Sequence, residues 1–184
     1  KAIGCGDYHA LVVSFANSKC YATGLNSYGQ LGLGDLNNRD RLTRVVGLKD
    51  NTPMAVAAGS HHSVVLCMEG LFSFGRNDSG QLGVTEVLKE EDWGSGISDP
   101  TEVTLTDARG RPSMVECGAN HNLVVTSEHE LYTWGYGDTL ALGLGNDKDQ
   151  GLPKKVDLKK MGVTKVLDAD GGGQHSVLIC VNDP

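Results

Sequence analysis

The sequence predicts an all-β fold, a β-propeller of which this chain supplies about half a ring. Three observations predict it. A Gly-x-x-His anchor followed by a short apolar run occurs four times. A strand-like segment ending in glycine follows three of the anchors. A glycine-rich string of fixed internal spacing follows each of those segments. Repetition at about 50 residues, with several strands per unit and no convincing 3.6-residue amphipathic pattern, reads as propeller blades.

The anchors are CGDYHALVV (5–13), AGSHHSVVL (58–66), CGANHNLVV (117–125) and GGGQHSVLI (171–179). Their histidines, His9, His62, His121 and His175, stand 53, 59 and 54 residues apart. The second strands are KCYATG (19–24), GLFSFG (70–75) and ELYTWG (130–135), which alternate large apolar with small or polar residues. Period-two alternation over five or six residues marks a half-buried strand. Phe74 and Trp134 are read in one register, with Ala22 in the first repeat, as blade packing. A third, Val-containing strand is read at TRVVGL (43–48), PTEVTL (100–105) and PKKVDL (153–158). The chain thus contains three full repeats and a partial fourth, one partial propeller over residues 1–184. One small sheet cannot bury its own faces, so neighbouring units must cover each other.

The glycine strings GLNSYGQLGLGD, GRNDSGQLGV and GYGDTLALGLGND could cradle a phosphate or build corners. Gly24 and Gly29 have the spacing of a phosphate loop, but Gln30 stands where that loop needs Lys. The second string fails in the same way, and none matches G-x-G-x-x-G entering a helix. Glycines at fixed positions in every unit are turn chemistry. Asn146 to Asp149 lacks the Gly and Glu of a calcium loop.

The formal net charge of −7 argues against a nucleic-acid binder for the chain as a whole. The charge is uneven. Glu86, Glu90, Glu91, Asp92, Asp99 and Glu102 form an acidic stretch, and Lys154, Lys155, Lys159, Lys160 and Lys165 a basic one. Both read as solvated loops. No run of about 18 apolar residues is present, so no membrane span is expected. The five cysteines, Cys5, Cys20, Cys67, Cys117 and Cys180, show no zinc-type spacing. All fall at repeat positions, which suits packing thiols. The chain opens on Lys1 in what reads as mid-domain sequence, so a fragment is expected.

A WD-type propeller has a shorter period and a Trp-Asp pair, which this chain lacks. A kelch propeller has a double glycine, missing from three of the four units here. GLNSYGQLGLGD, FGRNDSGQLG and YTWGYGDTLALGLG, alternating with the Gly-x-x-His strands, resemble the regulator of chromosome condensation family. The resemblance covers essentially the whole chain and implies half of a seven-bladed ring, its C-terminal half. It also implies guanine-nucleotide exchange on the small GTPase Ran, contact with histones or the nucleosome through the complete protein, and a nuclear, chromatin-associated location. No covalent chemistry, cofactor or metal is implied. The family's wedge hairpin and basic N-terminal tail have no candidate in this chain. The alternative is a non-catalytic interaction propeller of the same family within a scaffold or ubiquitin ligase.

An exchange factor works by differential affinity, so the expected site is a surface. Three roles are open to the anchor histidines: a metal ring, a hydrogen bond fixing each blade corner, and partner contact. The resemblance places GTPase contacts in the anchor loops and favours His61 or His62 and His175. The paired residues before each histidine vary in a fixed frame, which adds Asn120 and Gln174. Asp7 matches the family's G-D-x-H form, in which an acidic residue faces the GTPase. The half ring is expected to need the missing N-terminal half, or a second copy, to cover its open ends.

Overall fold

The computed structural model describes residues 2–84 and 96–182. The acidic residues Glu86, Glu90, Glu91 and Asp92 lie outside them. The described chain forms three four-stranded antiparallel sheets and one two-stranded sheet. Sheet 1 comprises β1 (Ala2–Cys5), β2 (His9–Val13), β3 (Cys20–Gly24) and β4 (Arg39–Arg44). Sheet 2 comprises β5 (Pro53–Ala58), β6 (His62–Cys67), β7 (Leu71–Arg76) and β8 (Gly96–Val103). Sheet 3 comprises β9 (Pro112–Cys117), β10 (His121–Thr126), β11 (Leu131–Gly135) and β12 (Gln150–Lys155). β13 (Val163–Gly171) and β14 (Ser176–Asn182) make sheet 4. Each sheet is a meander in sequence order. Among the described residues the only helical segments are 3-10 turns at Val46–Leu48 and Leu158–Met161.

The anchors and second strands fall where the sequence places them. In sheets 1 to 3 the anchor histidine opens the second strand and pairs with the glycine at or next to the end of the third: His9 with Gly24, His62 with Gly75, His121 with Gly135. Three readings are corrected. A strand precedes each anchor glycine where none was expected, and the outer strand lies earlier than expected. β4 is Arg39–Arg44, not 43–48, because Gly24 pairs with Arg39 across a long loop. Val45 and Leu48 are apolar because they close the lower end of the sheet, where both are buried. The register partner of Phe74 and Trp134 is Thr23, not Ala22, since Ala10, Ser63 and Asn122 pair with Thr23, Phe74 and Trp134.

Burial follows position in the stack. β6 and β10 are buried at all six residues, because a sheet covers each of their faces. β2 alternates, and β14 is nowhere fully buried. Three apolar clusters fill the three seams. Leu11, Leu31, Val65 and Phe74 lie in the first, Val64, Val124, Tyr132 and Trp134 in the second, and Leu123, Val125 and Val166 in the third. Each buried Leu, Val or Phe contributes about 1.5–3 kcal/mol, against about 0.5–1.5 for a net hydrogen bond, so apolar packing holds the sheets together. Cys20, Cys67 and Cys117 belong to these seams, and burial raises their thiol pKa values, to about 12 for Cys20 and Cys67. Cys5 is exposed and Cys180 half-buried, because both lie on end sheets.

The glycine strings close against the neighbouring sheet. A Cβ on Gly32 would stand 2.8 Å from the Phe74 ring, and one on Gly83 would stand 2.7 Å from the Trp134 indole nitrogen. Both glycines have positive φ, 67° and 71°. No other residue satisfies both demands cheaply.

Candidate interaction surface

The first-to-second-strand hairpins and the glycine strings emerge at the same end of each four-stranded sheet, because the first and third strands run the same way. This end is the upper face. In each hairpin the anchor glycine amide donates to the anchor histidine carbonyl, at 2.9 Å for Gly6 to His9 and 3.0 Å for Gly59 to His62. The carbonyl just before each histidine receives an amide from the start of the string: Leu25 to Tyr8, Arg76 to His61 and Tyr136 to Asn120, at 2.8, 2.9 and 2.8 Å. The tips are therefore pinned from two sides.

Beneath the tips a three-part link repeats across each seam. His9 Nε2 lies 2.9 Å from Ser63 Oγ, whose hydroxyl donates to the Gln30 carbonyl at 2.7 Å. His62 Nε2 lies 2.9 Å from Asn122 Oδ1, whose amide donates to the Gln81 carbonyl at 2.8 Å. His121 Nε2 lies 3.0 Å from Ser176 Oγ, which donates to the Ala141 carbonyl at 2.7 Å. With the hydroxyl or amide hydrogen already spent on a carbonyl, only an acceptor faces the imidazole. Each histidine thus carries a proton on Nε2. Burial, with the charge of His61 next, lowers the pKa of His9 to about 4. Burial also lowers that of His62 to about 4 and depresses that of His121. The Nδ1 atoms of His9 and His62 are buried and make no hydrogen bond among the described residues.

This geometry sorts the expected contact residues. Asp7, Gln174 and His175 are exposed, and His61 and Asn120 are half-buried at the upper face. His62 is 0% exposed. Direct partner contact by His62 is thereby corrected: its ring is inside the seam and spans it. His175 has no sheet following β14 in the described chain, so it makes no such link. The link itself is not legible in the sequence, because its members lie 54, 60 and 55 residues apart. Asn26, Gln30, Asn77 and Gln81 were also missed. Asn26 and Asn77 accept the Leu31 and Leu82 amides at 2.9 and 3.0 Å, and Gln30 and Gln81 accept those of Tyr28 and Ser79. Their recurrence within the strings was the available signal.

The upper face is aromatic at the first seam and acidic at the second. The Tyr28 ring meets His61 edge-on at 5.2 Å, and Tyr8 lies 6.1 Å from His61. Arg76 stands over Tyr28 at 5.3 Å and donates from Nε to Asp78 at 2.7 Å. Beyond them, burial raises the Asp149 carboxyl, and Asp138 and Asp78 add to the shift against the Gly137 amide.

On the lower face, Arg109, Glu130, Lys155 and Lys159 line a cleft of about 450 Å³. Burial opposes the Glu130 charge. Lys155 and Arg109, 2.5 and 2.9 Å away, outweigh it and hold the carboxyl down to about 2. Those charges are spent on each other.

Comparison with known proteins agrees with this architecture. The family model described as "Regulator of chromosome condensation (RCC1) repeat" matches residues 17–66, 69–125 and 128–179, and a second of the same description matches 1–30 and 115–138. The matched units begin before β3, β7 and β11 and end within the second strand of the next sheet. The human protein "Regulator of chromosome condensation" is 32% identical over 95% of this chain and 40% of its own length. The Arabidopsis thaliana "Ultraviolet-B receptor UVR8" is 30% identical over 94% of this chain and 36% of its own. Human "Probable E3 ubiquitin-protein ligase HERC3" is 33% identical over 95% of this chain and 16% of its own. Among solved structures, Saccharomyces cerevisiae Prp20p, reported with its binding to Gsp1p and histones, superposes with a TM-score of 0.83 at 26% identity over 99% of this chain and 44% of its own. Human WBSCR16 gives 0.82 at 26%, over 98% of this chain and 46% of its own. The chain thus spans less than half the length of these relatives. Three consecutive repeat matches, the shared fold and the recurring seam place the chain in the regulator of chromosome condensation repeat family.

Proposed function

We propose that this chain forms part of a guanine-nucleotide exchange factor for a Ran-type small GTPase, docking the GTPase on the upper face. One observation carries the reading: a row of exposed or half-exposed tip residues, Asp7, His61, Asn120, Gln174 and His175, stands on a frame pinned across each seam. The likeness to the human regulator and to Prp20p supports it. Such a face catalyses no bond making. It accelerates exchange by holding the nucleotide-free GTPase more tightly than the loaded one, and a rigid frame spends little of that affinity on ordering. Histone or nucleosome contact through the complete protein, and a nuclear, chromatin-associated location, belong to the same proposal.

The test is binding of the full-length protein to nucleotide-free Ran in EDTA. His61→Ala and Asp7→Ala are expected to weaken binding by about tenfold each, as interface hot spots do, with unchanged melting. His62→Ala should instead lower the melting temperature. Binding unaltered by the tip variants counts against the site. UVR8 and HERC3 match the same share of this chain, which favours a second reading, an interaction propeller without exchange activity. Absence of binding to nucleotide-free Ran selects it.

A further inference from the structure

The upper face contains one completed guanidinium site. Arg76 lies against the Tyr28 ring at 5.3 Å, and its guanidinium is held by the Asp78 carboxylate. The two contacts divide the work. The ring face attracts the cation through its quadrupole, and the carboxylate fixes the planar fork by hydrogen bonds. Beside His61, the same seam offers a second ring and carboxylate without the cation. Tyr8 is 66% exposed, its ring braced by His61 at 6.1 Å. Asp7 precedes it on the same tip and is exposed. Among the described residues no cation stands on Tyr8 and none forms an ion pair with Asp7.

We infer that Asp7 and Tyr8 receive an arginine side chain supplied by the docked partner, completing in trans the arrangement that Arg76, Tyr28 and Asp78 complete within the chain. The inference rests on the docking face proposed above and names the chemistry of its partner. Three features favour a cation. Asp138, Asp149 and Asp7 leave the upper face acidic, since Arg76 is already matched by Asp78. Tyr8 is held in place at its backbone, because its carbonyl accepts the Leu25 amide, and its ring lies 6.1 Å from that of His61. The identity arginine follows from the planar group already accepted at Tyr28. A lysine would satisfy Asp7 but would not stack. His61 is a positioning residue here, holding Tyr8 from behind and Tyr28 from the side.

The experiment has two arms. In the first, N-acetyl-arginine amide, its lysine counterpart and its neutral citrulline isostere are titrated into the full-length protein, with the Tyr8 ring resonances followed by NMR. Arginine is expected to shift them saturably, lysine less, citrulline not at all. Equal shifts with citrulline, or none with arginine, overturn the inference. In the second arm, nucleotide-free Ran is titrated against variants. Asp7→Asn and Tyr8→Leu should each weaken binding by about tenfold, the range of a desolvated cation–ring contact, while Tyr8→Phe keeps the ring face and the affinity. Tyr8→Leu binding as tightly as the unaltered protein overturns it. If arginine shifts Tyr8 while Ran does not bind the unaltered protein, the exchange reading falls and the arginine site stands.

Discussion

His62 shows how a polar side chain comes to occupy an apolar seam. Its ring is wholly buried, yet one nitrogen has a partner on the next sheet and the other has none among the described residues. Asn122 Oδ1 also accepts the Cys117 thiol at 3.2 Å, so removing the imidazole leaves it a weak donor. His62→Ala therefore combines a lost hydrogen bond with a cavity, and a cost of roughly 3 kcal/mol is expected in urea unfolding. Protonation acts on the same link. His9 and His62 bind a proton less readily folded, with pKa values of about 4, than unfolded, where the value is 6.5. In the interval between, the unfolded chain carries the extra proton. The stability that the neutral rings contribute is complete above pH 6.5 and is lost as pH falls through 4, at most roughly 3 kcal/mol per ring. Melting temperatures measured from pH 7.5 to 4 should fall steeply in that interval, and a flat profile would contradict the buried neutral assignment.

The glycine strings set the distance between adjacent sheets. Gly83→Ala would force a Cβ to 2.7 Å from the Trp134 nitrogen in a backbone with φ of 71°. Gly143 has the same conformation, φ of 66°, but the nearest neighbour of a Cβ there would be Val156 at 3.8 Å. Alanine at position 143 should cost only the left-handed backbone, about 1 kcal/mol, and alanine at 83 at least twice that. Chemical denaturation of the two variants checks the ordering. These strings were legible because turn chemistry is local and repeats with the unit. The outer strands were not, since β4 is Arg39–Arg44, a polar segment whose pairing is set by a loop rather than by its own pattern. Likewise the tips could be found from Gly-x-x-His, but which of His61 and His62 faces outward could not. Adjacent residues of a strand point to opposite sides, and only the neighbouring sheet decides which side is interior.

The stack explains the exposure of Ile3, Val177 and Ile179 on the end sheets. Val56, Val115 and Ala169 occupy the position of Ile3 and are at most 8% exposed, whereas Ile3 is 71% exposed. Leu11, Val64 and Leu123 are buried where Val177 is 57% exposed, and Val13, Leu66 and Val125 are buried where Ile179 is 58% exposed. These end residues have the chemistry of a seam without its second side. The 184-residue chain alone is therefore expected to associate as its concentration rises. Ile179→Lys and Val177→Lys should reduce that association in sedimentation without altering the cooperative melt of the inner sheets. A monodisperse monomer at all concentrations would show that the end faces are tolerated in water.

The family's repeat unit and the sheet are out of phase, and this bears on how such rings lengthen. Residues 17–66 hold both Gln30 and Ser63, 69–125 both Gln81 and Asn122, and 128–179 both Ala141 and Ser176. Each unit thus carries the hydrogen bond that fastens the string of one sheet to the second strand of the next, along with the outer half of one sheet and the inner half of the next. Duplication of a unit copies a finished joint. A ring can then gain a blade in one genetic event, with the contact that fastens it already encoded on both sides.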